Sequence, residues 1–131
     1  MLKFDKVSFR YPGQSENAIT DISFEIKKGE FVLLCGESGC GKTTLLRHTK
    51  KNQIPTGHGC GKMYFEGKDI EMLDDRECAS FIGYVGQNPD GQIVTDRVWH
   101  ELAFGLESLG YGREEMRRRI AEMSEYLGIS G

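Results

Sequence analysis

The sequence is poor in several features that would point to a class. Among 131 residues there are one tryptophan and three prolines, and the four cysteines, Cys35, Cys40, Cys60 and Cys78, form no Cys-x-x-Cys pair. Structural zinc sites are built on such pairs, so zinc is not expected and the thiols read as reduced cysteines of a cytosolic protein. Long hydrophobic runs are missing too. The longest, Phe31-Val32-Leu33-Leu34-Cys35, falls far short of the ~20 residues of a spanning helix. The opening Met1–Lys6 has no apolar signal-peptide core. Nor is there a surplus of positive charge. With 17 basic residues against 20 acidic, the net charge is −3, which gives no electrostatic case for nucleic acid as a partner.

What is present fits a soluble globular chain of one domain: 38% apolar, 28% charged, and 17 glycines, close to twice the usual share of ~7%. Loose alternation over 2–10 (Leu2, Phe4, Val7, Phe9) predicts a strand, stopped by Tyr11-Pro12-Gly13. Ile19, Ile22, Phe24 and Ile26 predict a second, paired with the first across a long loop. The continuous run Phe31–Cys35 has the pattern of a parallel strand buried on both faces, and Thr43–Lys50 that of a helix. Residues 52–62 read as loop, Met63–Phe65 as a short strand closed by the turn Glu66-Gly67-Lys68-Asp69, and Asp74 or Asp75 as the cap of a short helix through Ser80. Phe81–Val85 is a further buried-strand candidate, and Gly86–Asp96 a polar loop. Helical spacing then returns twice, at Val98, Leu102, Leu106 and Leu109, and at Met116, Ile120, Met123 and Leu127, with Gly128 as a natural C-cap.

One motif is complete. Gly36-Glu37-Ser38-Gly39-Cys40-Gly41-Lys42-Thr43 matches G-x-x-x-x-G-K-[ST], between a predicted strand and a predicted helix. A polyphosphate needs many donors around it, and backbone N–H groups are the densest supply. Glycines let the chain curl so that these groups form a nest, and the helix that follows adds the positive end of its dipole. Lys42 brings a mobile charge to the β and γ phosphates, and the Thr43 hydroxyl can ligate Mg²⁺. Cys40 reads as packing. A lookalike, Gly57-His58-Gly59-Cys60-Gly61-Lys62, fails because position 56 is Thr and Met63 stands where Ser or Thr is required; it reads as flexible loop. GTPase markers are missing, with no Asp-x-x-Gly and no Asn-Lys-x-Asp.

At this point the chain resembles the nucleotide-binding subunits of ABC transporters. Tyr11 matches the aromatic that stacks on adenine in that family, Lys28-Gly29-Glu30 leads into the phosphate-loop strand as it does there, and Gln87, in Tyr84-Val85-Gly86-Gln87-Asn88-Pro89, matches the Q-loop glutamine that approaches Mg²⁺ and the attacking water. The stretch Gln92–Asp96 with Val98–Glu107 is similar to the cobalt- and vitamin-uptake branch, the ATPases of energy-coupling-factor transporters.

The resemblance implies an α/β fold of the P-loop NTPase, ABC ATPase type, with an antiparallel β subdomain and the start of a helical subdomain. It implies ATP and Mg²⁺ as cofactors, held by Tyr11, Gly36, Glu37, Ser38, Gly39, Cys40, Gly41, Lys42, Thr43 and Thr44, with Lys42 and Gln87 catalytic and Thr43 and Gln87 near the metal. A partition follows: 1–87 as ATP-binding core, 88–131 as Q-loop and helical subdomain. The implied partners are a membrane-embedded transporter subunit, met through roughly 88–110, and a second ATPase subunit, at the cytoplasmic face of the membrane. The family's Leu-Ser-Gly-Gly-Gln signature, its Walker B strand with catalytic carboxylate and its switch histidine are absent. The expectation is therefore an N-terminal part of a nucleotide-binding domain that binds phosphates without hydrolysing ATP.

Two other classes remain open: a non-transport ABC protein, and a soluble P-loop kinase. A kinase wants an arginine-rich lid, and the candidates Arg113, Arg117, Arg118 and Arg119 sit on an ordinary amphipathic helix, where Arg117–Arg119 read as its solvent face. Trp99 and Phe104 are expected in the core by default, with a shared, partner-facing role left open because a helical subdomain this small does not hide every aromatic.

Overall fold

Strand β1 (Leu2–Arg10) lies at the centre of a four-stranded antiparallel sheet with β2 (Ile19–Ile26), β3 (His58–Phe65) and β4 (Lys68–Asp69), in the order β2-β1-β3-β4. The computed structural model describes residues 1–130. It divides into two compact units, Met1–Ile82 and Gly83–Gly131.

The first unit is organised by one face of β1. Phe4, Val7 and Phe9 point into a core with Ile19, Leu45, Met63, Ile70, Leu73 and Cys78, and Phe4 stacks on Phe24 at 4.5 Å between ring centroids. Apolar residues at 4, 7 and 9 break strict alternation, and the backbone absorbs the break in bulges. Lys6 and Asp21 take positive φ there, and their amides donate to side chains instead of the ladder: Lys6 N to Ser23 Oγ at 2.9 Å and Asp21 N to Ser8 Oγ at 2.7 Å. The predicted pairing of β1 with β2 is present, in register Phe4↔Phe24 and Phe9↔Ile19.

Residues 58–62 are strand rather than loop. Arg10, Phe9 and Ser8 pair with His58, Gly59 and Cys60, so the stretch read as a flexible lookalike is the first half of β3. Tertiary pairing overrides its glycine-rich composition. Packing requires glycine at two positions here: a Cβ at Gly57, just before β3, would lie 2.5 Å from the Phe9 ring, and one at Gly61 (φ +85°) 2.2 Å from Lys6 O.

Helix α1 (Lys42–Arg47) is shorter than predicted. Its tail tightens through Thr49 N to Leu46 O at 3.0 Å and Lys50 N to Arg47 O at 3.4 Å, the i→i−3 pattern of a closing turn. Lys50 Nζ then donates to Ile82 O, and Lys51 Nζ to Leu73 O, both at 2.9 Å. Helix α2 (Asp75–Phe81) starts on a full capping box. Asp74 Oδ1 accepts from Glu77 N at 2.7 Å, and Glu77 Oε2 from Asp74 N at 3.0 Å.

Two predicted strands are not formed. Phe31–Cys35 and Phe81–Val85 carry no strand, and Phe31 to Leu34, Phe81 and Val85 are exposed. A strand apolar on both faces holds only between neighbours that cover it and complete its ladder, and among the described residues none pairs with these segments.

The second unit is a helical hairpin, α3 (Val98–Ser108) and α4 (Arg113–Tyr126), preceded by a single 3₁₀ turn at Pro89–Gln92. Ala103 and Ile120 are its buried apolar residues; Trp99 and Phe104 are exposed, which corrects their expected place in the core. Gly110 and Gly128 end the helices at φ +77° and +70°. Arg118 and Arg119 pair with Glu115, and Arg118 also with Glu122, as a solvated face should.

Candidate functional site

The loop Gly36–Gly41 is seated on the sheet through its last residue. Gly41 is the N-cap of α1 in a left-handed conformation, φ +97°, and a Cβ there would sit 2.4 Å from Ala18 O. Only glycine lets the loop lie against the entrance of β2. Ala18 N in turn donates to Phe9 O at 2.8 Å. Below the loop, Thr44 and Leu45 are buried, and Leu45 N donates to Gly41 O at 2.9 Å.

His48 completes the seat. It is buried, its Nδ1 donates to Thr44 O at 2.7 Å, and its ring meets Phe9 edge-on at 4.9 Å. Reading by motif passes His48 over; its i+4 spacing from the buried Thr44 was the available signal.

Lys42 closes the loop over itself. Its ammonium donates to Gly36 O at 2.7 Å and to Glu37 O at 2.6 Å, with Cys40 Sγ at 3.5 Å. Cys40 packs back on Gly36, where a Cβ would meet its sulfur at 2.6 Å. Cys40 N donates to Glu37 O at 3.2 Å. The amides of Gly36, Glu37, Ser38, Gly39, Gly41, Lys42 and Thr43 have no acceptor among the described residues. Seven open donors beside one ammonium, on an exposed loop, are what a polyanion requires.

Thr43 is exposed and its hydroxyl has no hydrogen-bond partner among the described residues, so it is available to a cation. Mg²⁺ in nucleotide sites takes few protein ligands and completes its shell with phosphates and water, so one hydroxyl suits it. The Thr44 hydroxyl is occupied: it shares a hydrogen bond of 2.9 Å with Tyr11 Oη. Tyr11 is half-buried, its ring edge-on to Phe9 at 5.0 Å, and so ties the turn after β1 to the first turn of α1.

Gln87 belongs to the second unit. It is exposed at a bend, between Gly86, whose amide donates to Gln92 Oε1 at 3.1 Å, and the Pro89–Gln92 turn. Further along, Glu101 gathers the loop before α3. Its Oε2 accepts from Val94 N at 3.1 Å and Thr95 N at 2.8 Å, with Thr95 Oγ1 at 3.0 Å. These donors hold its carboxyl below the usual carboxylate range, the Thr95 amide most of all.

The ABC transporter family model matches residues 19–131. The chain belongs to the ABC transporter family. It is 44% identical over 127 residues to a provisionally named ABC transporter ATP-binding protein of Bacillus thuringiensis subsp. konkukian, covering 97% of this chain and 23% of that protein. It is 36% identical over 134 residues to the energy-coupling factor transporter ATP-binding protein EcfA1 of Clostridium perfringens, covering 98% of this chain and 47% of that protein. The chain thus spans about a quarter to a half of the length of these relatives.

Among solved structures it is similar to cbiO1 of Clostridium perfringens, described as part of the ABC transporter complex cbiONQ, with a TM-score of 0.77, 27% identity and coverage of 98% of this chain and 50% of that one. It is also similar to a dimeric ATP-binding cassette in a post-hydrolysis state bound to ADP and Pi, with a TM-score of 0.69, 26% identity and coverage of 93% and 55%. The fold is that of a P-loop NTPase of the ABC ATPase type, near the energy-coupling-factor branch.

Proposed function

We propose that the chain carries the phosphate-binding part of the ATP-binding subunit of an ABC-type membrane importer, which couples ATP binding and hydrolysis to uptake of a solute such as a metal ion or vitamin. The observation that carries this reading is the set of seven open amides beside Lys42 in the loop 36–43. In this reading Gly36 to Thr44 hold the phosphates of ATP, and Tyr11 offers its ring to the base. Lys42 leaves the carbonyls of Gly36 and Glu37 for the β and γ phosphates. Thr43 and Gln87 would hold Mg²⁺, and Gln87 would also approach the attacking water. Residues 1–87 are the nucleotide core, and 88–131 the Q-loop and helical subdomain. Residues 88–110 meet a membrane-embedded subunit at the cytoplasmic face of the membrane, and a second ATPase subunit completes the site.

The likeness to EcfA1 and to cbiO1 supports uptake as the direction. The 131 residues alone bind nucleotide without hydrolysing it at a useful rate, because positioning and charge are needed on both sides of the γ-phosphate and Lys42, Thr43 and Gln87 supply one side.

Calorimetry with ATP tests the reading. Hydrogen bonds to charged groups are worth about 1.5–3 kcal/mol each, so Lys42→Ala weakens binding by at least roughly tenfold. Equal affinity for Lys42→Ala and the parent refutes it. Phosphate release by the purified chain, abolished by Lys42→Ala, refutes the inactivity.

A further inference from the structure

The segment Ile93–Arg97 is an exposed loop with little packing of its own: Ile93 and Val94 point to solvent, and so do Val98 and Trp99 at the start of α3. Arg97, the N-cap of α3, gives no side-chain cap. What orders this stretch is one carboxylate. Glu101, on the first turn and a quarter of α3, reaches back past the N-cap and takes the amides of Val94 and Thr95 on a single oxygen. The Thr95 hydroxyl lies 3.0 Å from that oxygen and 3.0 Å from Arg97 O, and donates to one at a time. Three donors from two consecutive residues converge on Oε2, so the φ/ψ of Val94 and Thr95, and with them the placement of Ile93 and Val94 relative to Val98 and Trp99 on α3, depend on Glu101.

We infer that Glu101 is a positioning residue for the partner-facing segment: its ionised carboxylate fixes the Val94–Thr95 backbone and thereby presents Ile93, Val94, Val98 and Trp99 in one arrangement. The inference rests on the proposed docking of residues 88–110 to a membrane-embedded subunit, and names the residue that shapes that surface. The charge is integral to it, because hydrogen bonds to an ionised acceptor are about twice as strong as neutral ones. The groups facing the carboxylate are the neutral donors of Val94 and Thr95; among the described residues no charged side chain contributes to its lowered pKa, which partial desolvation opposes. The arrangement is therefore complete at neutral pH, and is released as pH falls below the usual carboxylate range and Glu101 takes a proton.

Amide hydrogen exchange by NMR on the whole 131-residue chain tests this against pH. In the parent, the protection of Val94 and Thr95 is lost on acidification. In Glu101→Ala it is lost at pH 7 by at least tenfold, while Met116 and Ile120 of α4 keep theirs. Glu101→Gln, which keeps the shape and an acceptor, holds the fold, and its Val94 and Thr95 protection no longer depends on pH. Unchanged protection in both variants, or a parent profile as flat as that of Glu101→Gln, overturns the inference.

Co-purification with the membrane subunit separates the two readings. If Trp99→Ala weakens capture and Glu101→Gln does so as well, by about tenfold, the positioning role stands. If Trp99→Ala weakens capture and Glu101→Gln does not, Glu101 has no positioning role. If neither Arg97→Ala nor Trp99→Ala changes capture, the docking reading itself has failed, and the inference falls with it.

Discussion

Strand β1 and the segment Phe31–Cys35 are built from the same residue types and reach opposite ends of the exposure scale. Phe4, Val7 and Phe9 are 1%, 4% and 2% exposed, whereas Phe31, Val32 and Leu33 are 93%, 54% and 76% exposed. Hydrophobicity does not separate them; arrangement does. The apolar residues of β1 lie on one face and need one cover, which α1, α2 and the Ile70–Met72 turn supply, and its two edges are paired by β2 and β3. The run at 31–35 is apolar on both faces and needs two covers and two neighbours. A sequence-local antiparallel unit closes on itself, while a parallel strand waits for elements from elsewhere.

The sharpest way to break this comparison is to remove one side chain from each region. Truncating a buried aromatic costs about 3–5 kcal/mol, a large part of the ~5–15 kcal/mol that holds a typical domain. Phe9→Ala is expected to unfold the first unit in urea at much lower concentration than the parent, since Phe9 also carries the contacts with Tyr11 and His48. Leu33→Ser is expected to leave the midpoint within the ~0.5 kcal/mol of an ordinary surface change, and to reduce light scattering, because an exposed uncharged apolar stretch invites β-type association. A shift at Leu33 as large as that at Phe9 would mean that the 31–35 run is packed in solution.

Next in size is the bulge that lets β1 keep its uneven pattern. Gly61 and Gly67 both have positive φ, at +85° and +78°. An L-residue there costs roughly 1–2 kcal/mol from its backbone conformation alone. At Gly67 a Cβ meets nothing within 4 Å, while at Gly61 it lands 2.2 Å from Lys6 O. Gly67→Ala is expected to cost that strain and no more, and Gly61→Ala distinctly more, with loss of the β1–β3 ladder by amide exchange. Equal costs would show that the bulge can slide.

This pair also marks what the sequence makes legible. Local signals carry over well. The pairing of β1 with β2, the Asp74 cap and the two C-terminal helices are each signalled within a few consecutive residues, and each is present. What the sequence does not show depends on distant partners. His58–Lys62 becomes strand because β1 lies alongside, and Phe31–Cys35 does not because no strand among the described residues does. At the site, spacing identifies Lys42 but not the carbonyls it rests on, and gives no reason to single out Ala18, His48 or Glu101, whose roles exist only after folding.

A smaller effect is expected at the start of α2. Asp74→Ala removes one side of the capping box, which costs typically ~1 kcal/mol within a range of about 0.5–2. Helix α2 contributes the fully buried Cys78 to the core, so the loss should appear in the global urea midpoint and not only as local fraying. Asp74→Asn, which keeps the acceptor for Glu77 N, is expected to recover most of it. An Asp74→Ala midpoint equal to the parent's would place α2 outside the cooperative unit of the sheet.

The smallest expected effect lies on α4, where stabilising contacts are solvent-exposed. Hydrogen bonds from Arg118 and Arg119 lower the pKa of Glu115, Arg118 being the larger cause. A carboxylate with a depressed folded pKa adds stability that is present above its unfolded pKa and lost as pH falls through the folded one. The helix should therefore be firmest at neutral pH, with the Glu115 contribution fading below the usual carboxylate range. Glu66, Asp69, Glu77 and Glu101 have lowered pKa values as well, so a global acid transition sums them and assigns nothing to α4. A site-specific readout is needed: the Glu115 side-chain carbonyl shift and the α4 amide shifts against pH, in the parent and in Glu115→Gln. The α4 amides of the parent should move with the Glu115 titration, those of Glu115→Gln should not, and added salt should shrink the difference because the pairs face water. A Glu115 that titrates at the ordinary glutamate value would mean that both arginines are solvated, leaving the contact between α3 and α4 around Ile120 to hold the hairpin alone.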